Sequence, residues 1–178
     1  MNANEILIKE YEALRAEILL AMTSRNTILS YGLAVIGVLY SGVAAMAVAK
    51  VDTLLPSIVL MLVVPSVCLF SLFIWLGEYQ RMHRAAGHII QLEERIRDNA
   101  GDRILTWETN LREKKKHMRY PYDTTILMLV LISAFSQITG YYLLNNVGVW
   151  ILIVCLVPLI VIYVYAISRM AELRNQII

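Results

Sequence analysis

Four long apolar blocks without a charged side chain constrain this chain more than any other feature. They run over roughly residues 27–49, 54–77, 124–145 and 147–168 of the 178-residue chain. About 20 apolar residues match a ~30 Å hydrocarbon layer, whereas a helix at the surface of a soluble core keeps a polar face. The sequence therefore predicts an all-α integral membrane protein, a four-helix transmembrane bundle with cytoplasmic helical extensions.

The lysines and arginines indicate the topology. They concentrate before the first block, between the second and third blocks, and after the fourth, and only Lys50 lies in a short hairpin. Short cytoplasmic segments carry the excess of Lys and Arg, which places both termini in the cytoplasm and predicts four spans. We therefore divide the chain into five segments. They are a cytoplasmic amphipathic helix (1–26), a transmembrane hairpin (27–77), a cytoplasmic helical hairpin (78–123), a second transmembrane hairpin (124–168) and a cytoplasmic tail (169–178).

The first block has a second interpretation as a signal peptide. The run Ala45-Met46-Ala47 is typical of a cleavage site. A signal peptide begins with a short basic segment, yet here a 26-residue leader with four glutamates precedes a block that is long enough to span. We predict that the first block stays in the mature protein.

Apolar residues in the leader follow the period of an α-helix. Leu7, Tyr11, Leu14, Ile18 and Met22 are separated by steps of three or four, which predicts one buried stripe on a helix continuous with the first span. The opposite face is rich in glutamate, and anionic lipid would repel it. We expect the leader to pack against the helix over residues 78–98, in the same subunit or a neighbour, rather than to lie flat on the membrane.

The segment after the second block has the same period. Its apolar face consists of Tyr79, Met82, Ala86, Ile89 and Ile96. Residues 99–102, Asn-Ala-Gly-Asp, are typical of a helix end followed by a new N-cap. A second cytoplasmic helix is therefore predicted from about residue 103 to 118.

The chain offers little for catalysis. His83, His88 and His117 match no helical metal pair, and no nucleophile motif accompanies them. Cys68 and Cys155 fall inside apolar blocks, where we interpret them as small core residues. We predict no enzymatic activity, no metal and no other cofactor, which sets aside an enzyme acting on lipid.

Neutral polar residues gather on one side of the third block. Ser133, Ser136, Gln137 and Gly140 share a helical face, while the blocks lack the ionisable side chains of a proton-coupled exporter. Two interpretations remain open. The four residues line a pore, or they join neighbouring helices through hydrogen bonds.

A stripe of cations is the strongest cytoplasmic feature. It consists of Arg81, Arg84, His88, Gln91 and Arg95, at steps of three and four. With Trp107 to stack on a base and Lys115 from the next helix, Arg81, Arg84, His88 and Arg95 form a candidate site for an anionic, phosphate-rich ligand. The alternative is a solvated helix face that satisfies the positive-inside rule. The formal net charge of only +2 argues against bulk nucleic-acid binding.

Two further patterns concern packing within the blocks. Gly37, Ser41 and Ala45 form a small-xxx-small stripe that lets helices approach closely. Pro65 and Pro158 lie deep in the second and fourth blocks, where each predicts a kink that is either structural or a gating hinge.

Parts of the chain resemble a known class of protein. The similar segments are residues 10–18, 78–81 and 89–96, with Trp107-Glu108 downstream. In these segments the chain resembles small bacterial four-span membrane effectors of antiviral defence systems, with the Hailong-type effectors as candidate relatives. The resemblance implies a homo-oligomeric channel of the bacterial inner membrane, with a tetramer as our estimate, controlled by a nucleotide second messenger from a partner nucleotidyltransferase.

Two functions follow from these observations. The first is an oligomeric channel or pore-forming effector in the lipid bilayer, gated through its cytoplasmic helices by a nucleotide signal in antiphage defence. The second is a non-conducting membrane anchor or scaffold that recruits a cytoplasmic partner protein.

Overall fold

A computed structural model describes residues 3–100, 120–144, 157, 160–168 and 172. Across this part of the chain the regular structure is entirely helical, without a strand. The elements are α1 (Ala3–Val48), α2 (Leu54–Ile58), a π-helix (Val59–Val63), α3 (Val64–Ala100) and α4 (Tyr120–Leu143). Residues 160–168 are also helical.

Among the described residues, three helical stretches are long and apolar enough to cross a membrane. They are Glu5–Val48, Leu54–Ile96 and Asp123–Leu143. The predicted all-helical fold is therefore confirmed for the described residues, and it includes three helices that could cross a membrane by length and composition. Most of the fourth block, the second cytoplasmic helix and most of the tail lie outside the described residues, so the four-span count stays a prediction.

The leader and the first block form one unbroken helix, as predicted. At about 1.5 Å per residue the 46-residue helix α1 is about 70 Å long. It ends in a Schellman motif, in which the N–H of Val51 donates to the carbonyl of Met46 at 3.1 Å and the N–H of Lys50 donates to that of Ala47 at 3.2 Å. Lys50 adopts a left-handed conformation with φ 52°, a position where glycine is usual. This turn directs the chain back along α1 into α2.

The apolar core lies where α3 meets α1 and α4. Val64, Cys68 and Leu72 of α3 are completely buried, and Ile36 of α1 and Leu129 of α4 pack into the same cluster. Burial of the thiol confirms the interpretation of Cys68 as an apolar core residue. Cys155 and Pro158 lie outside the described residues.

The charged half of α1 packs against the charged half of α3. Ile18 contacts a cluster formed by Ala21, Tyr79 and Met82, which confirms the predicted packing of the leader against the 78–98 helix of the same chain. Met22, however, is 40% exposed, and Ala21 is buried in its place. At 3.6 residues per turn, steps of three and of four from Ile18 rotate the side chain in opposite directions around the helix. The contact face lies on the side reached by the step of three, at Ala21, and the step of four places Met22 outside it.

Candidate functional site

The predicted pore-lining residues lie inside the bundle of a single chain. Ser133, Ser136 and Gln137 are at most 1% exposed, and Gly140 is also buried. The hydroxyl of Ser136 donates to the carbonyl of Ser133 at 2.9 Å. These placements fit the interpretation of hydrogen bonding between helices, and pore lining by the same residues stays a prediction.

The π-helix opposite this stripe weakens the hydrogen bonding of its own backbone. The N–H of Val64 donates to the carbonyl of Val59, one residue further back than in an α-helix. Pro65 has no N–H, so the carbonyl of Met61 loses the donor that an α-helix would supply. The carbonyl of Leu60 likewise loses its usual donor, Val64. Two neighbouring carbonyls therefore need other partners in an apolar environment.

Gln137 supplies one of those partners. Its amide Nε2 donates to the carbonyl oxygen of Met61 at 3.4 Å, and both groups are buried. A long hydrogen bond of this kind replaces the donor that Pro65 removes. Gln137 therefore connects α4 to the irregular part of the second apolar block.

Gly140 allows the close approach that this contact requires. A Cβ atom at Gly140 would stand 2.6 Å from Cγ of Met61, 3.0 Å from Cβ of Leu60 and 3.1 Å from the carbonyl oxygen of Ser57. Only glycine fits there without displacing neighbours. The backbone of α4 thus lies directly against the π-helix, one turn away from Gln137.

An ion pair joins the charged halves of α1 and α3. Nε of Arg81 lies 2.9 Å from Oε1 of Glu17, and its Nη1 atom lies 3.9 Å from Glu78. The hydrogen bond to Glu17 raises the pKa of Arg81, burial opposes this rise, and the negative charges of Glu17 and Glu78 add to it. About two-fifths of each of the paired Arg81 and Glu17 side chains remains exposed.

The predicted anion-binding face forms a shallow cleft beside this ion pair. The cleft has a volume of about 230 Å³ and is lined by Leu14, Glu17, Arg81, Arg84, Ala85 and His88. The structure therefore brings Arg81, Arg84 and His88 together, with Arg84 and His88 exposed. Arg95 is exposed further along α3 and does not line the cleft, while Trp107 and Lys115 lie outside the described residues.

A column of aromatic rings was not predicted as a site. Trp75 and Tyr79 stack with centroids 5.9 Å apart, and Tyr79 meets His83 edge to face at 4.3 Å. The guanidinium of Arg25 lies 5.4 Å from the centroid of the Trp75 ring, within range of a cation–π contact between α1 and α3. The four-residue spacing of the three rings is visible in the sequence, but their contact with Arg25 is not.

The fold and these contacts define a helical protein with at least three helices of membrane-spanning length. Comparison with known proteins adds no relative: no family model, curated protein or solved structure matches the chain. The function must therefore be argued from the chain's own residues.

Proposed function

We propose that this protein is an oligomeric channel of the bacterial inner membrane, gated through its cytoplasmic helices. One observation carries the proposal: α1 and α3 each pass from a charged half into an apolar half without a break. A rigid helix moves as a unit, so a displacement of the charged half reaches the apolar bundle.

The contacts between α1 and α3 join these two helices into one rigid unit. They pack at Ile18 and Met82, pair charges at Glu17 and Arg81, and meet again where Arg25 lies over the Trp75 ring. These contacts lie at successive heights along the helices. Movement of the charged half therefore involves both helices together.

The resemblance to defence effectors adds the signal to this proposal. It suggests a nucleotide made by a partner nucleotidyltransferase, bound by the cations of the cleft and by Arg95. The cleft supports an anion because Arg84 and His88 are exposed there. Glu17 opposes it, since its carboxylate already occupies Arg81.

Conduction requires a rearrangement of the polar stripe. Gln137 and Gly140 contact Met61 of the same chain. For these residues to line a pore, α4 must turn or separate from the π-helix when the channel opens. The contacts described here therefore correspond to a non-conducting arrangement in this proposal.

The second candidate is a non-conducting membrane anchor for a cytoplasmic partner. Burial of the polar stripe within one chain favours it, because the stripe then has a purely structural role. Ile6, Ile8 and Leu19 on the charged half of α1 are also about half exposed or more. A partner protein would cover such residues.

Ion flux through liposomes containing the purified protein separates the two candidates. We expect the flux to change when a nucleotide mixture from a partner synthase is added. Folding and insertion are checked by circular dichroism and flotation. Impermeable liposomes with folded, inserted protein in both conditions would favour the anchor.

A pair of matched variants tests the ligand face. Arg84→Ala with Arg95→Ala removes two exposed cations from α3, and Lys9→Ala with Arg15→Ala removes two from exposed positions on α1. We expect the first pair to lose the nucleotide response and the second to keep it. Equal responses would remove the arginine face from the proposal.

A further inference from the structure

We infer that residues 59–65 form a hinge in the second apolar block and that the amide of Gln137 locks it. This inference goes beyond the proposed function, because it concerns the mechanics of a single chain and its test does not use ion flux. The hinge separates the short helix α2 from the long helix α3.

The backbone at this place lacks two of the bonds that stiffen an α-helix. The π turn shifts the N–H of Val64 to Val59, and Pro65 provides no N–H for Met61. On either side of this place, serine hydroxyls donate hydrogen bonds to backbone carbonyls of the preceding turn. The hydroxyl of Ser57 donates to the carbonyl of Thr53, and that of Ser66 to the carbonyl of Leu62, each at 2.6 Å. Such bonds also occur along the unbroken helix α1, so the features specific to this place are the π turn and the proline that follows it.

The contact with α4 falls on this weak point. Gln137 donates to the carbonyl of Met61, and the missing side chain of Gly140 lets α4 touch Ser57 and Leu60. Both residues of α4 thus contact residues 57–61, the N-terminal side of the proposed hinge. Release of the Gln137 amide would leave the Met61 carbonyl without this partner and free α3 to swing.

Pro65→Ala gives a specific test, because alanine restores an N–H that can donate to Met61. In the parent chain, Gln137→Leu removes the donor from α4. In the Pro65→Ala chain, the same substitution leaves the backbone donor in place. The effect of Gln137→Leu should therefore be much smaller when residue 65 is alanine.

The readout is the distance distribution between spin labels at Asp123 on α4 and Glu94 on α3, both exposed. Cys68 and Cys155 are first replaced by alanine. We expect Gln137→Leu to broaden the distribution, and Gln137→Leu with Pro65→Ala to narrow it again. Labels at Gly77 and Glu94, both on α3, should give the same distribution in every variant.

A control variant and a second test complete this experiment. Thr139→Val removes a hydroxyl that donates only to Phe135 of α4 itself, at 2.8 Å, and should leave the distribution unchanged. If Gln137→Leu does not fold, Pro65→Ala alone provides the test, with a narrower distribution than the parent expected. An unchanged width in Gln137→Leu, no rescue by Pro65→Ala, or a width in Pro65→Ala alone that equals or exceeds the parent's would overturn the inference.

Discussion

Among the polar contacts that join distant parts of the described chain, the Gln137–Met61 bond and the Arg81–Glu17 pair lie in opposite environments. Gln137 bonds to the carbonyl of Met61 where both groups are buried among apolar side chains, while Arg81 pairs with Glu17 where both side chains are partly exposed. The first pair is neutral and its distance is long, 3.4 Å; the second is charged and short, 2.9 Å.

Distance and charge alone would rank the Arg81–Glu17 pair as the more stabilising contact, but the environments of the two contacts favour the opposite order. Water competes for Arg81 and Glu17, and salt screens their charges, so an exposed pair of this kind stabilises little. No water competes for the Met61 carbonyl, and an unpaired carbonyl in an apolar environment is costly. We therefore expect the Gln137–Met61 contact to contribute more to the free energy of unfolding than the Arg81–Glu17 pair.

Gly140→Ala should have the largest effect on stability. The new Cβ atom would lie within 3.1 Å of Ser57 and even nearer to Leu60 and Met61, and overpacking of a tight contact costs about 1–3 kcal/mol. The measurement is thermal unfolding in detergent. Gly77→Ala is the matched control, because a Cβ there meets nothing within 4 Å; an equal Tm for the two variants would contradict the close approach of α4.

Gln137→Leu should follow, with a loss of about 1–2 kcal/mol. The side chains are of similar size, so the change removes the donor to Met61 without leaving a large cavity. Thr139→Val on the same helix should cost less, since its hydroxyl bonds only within α4. Equal losses of stability in the two variants would show that the Met61 contact has no special weight.

Arg81→Glu should lower the stability least, and the double variant Arg81→Glu with Glu17→Arg should restore it. The measurement is thermal unfolding at low and high salt, and high salt should erase the difference between the single variant and the parent. A large loss of stability that persists in high salt would show that the ion pair stabilises the fold more than the Gln137 contact does, which is the opposite of our expectation.

The pH dependence of the Arg81 contact follows from the direction of its pKa. The pKa of Arg81 is raised in the folded chain, so its contribution is complete below the ordinary pKa of arginine and declines only as the pH rises through the raised value. Between pH 7 and pH 10 this arginine therefore adds no pH dependence. A loss of the salt-sensitive contribution within that window would show that Arg81 is not the group that holds Glu17.

Periodicity in the sequence was enough to predict α1 and α3 and most of their buried faces, although Met22 is exposed and Ala21 is buried instead. The continuity of α1, the burial of Tyr79, Met82, Ala86 and Ile89, and the packing of Ile18 all follow from steps of three and four. These features depend on local repetition, which a sequence displays directly.

The partners of the polar residues could not be predicted in the same way. Pro65 indicated a kink, but the residue that satisfies Met61 is 76 positions away, and Glu17 is 64 positions from Arg81. Such pairs depend on which helices meet and at what height. Helical period alone fixes neither quantity.

In the proposed channel the charged halves control the apolar bundle through unbroken helices, and this control can be tested directly. Its most direct test inserts Gly-Gly-Ser between Gly77 and Glu78, inside α3, because glycine weakens a helix. The matched control places the same insertion between Val51 and Asp52, in the turn between α1 and α2.

In liposomes that show a nucleotide-dependent flux with the parent chain, we expect the insertion in α3 to abolish the response while nucleotide binding persists. The control insertion should leave the response in place. An intact response with the insertion in α3 would contradict the claim that α3 carries the signal into the bundle.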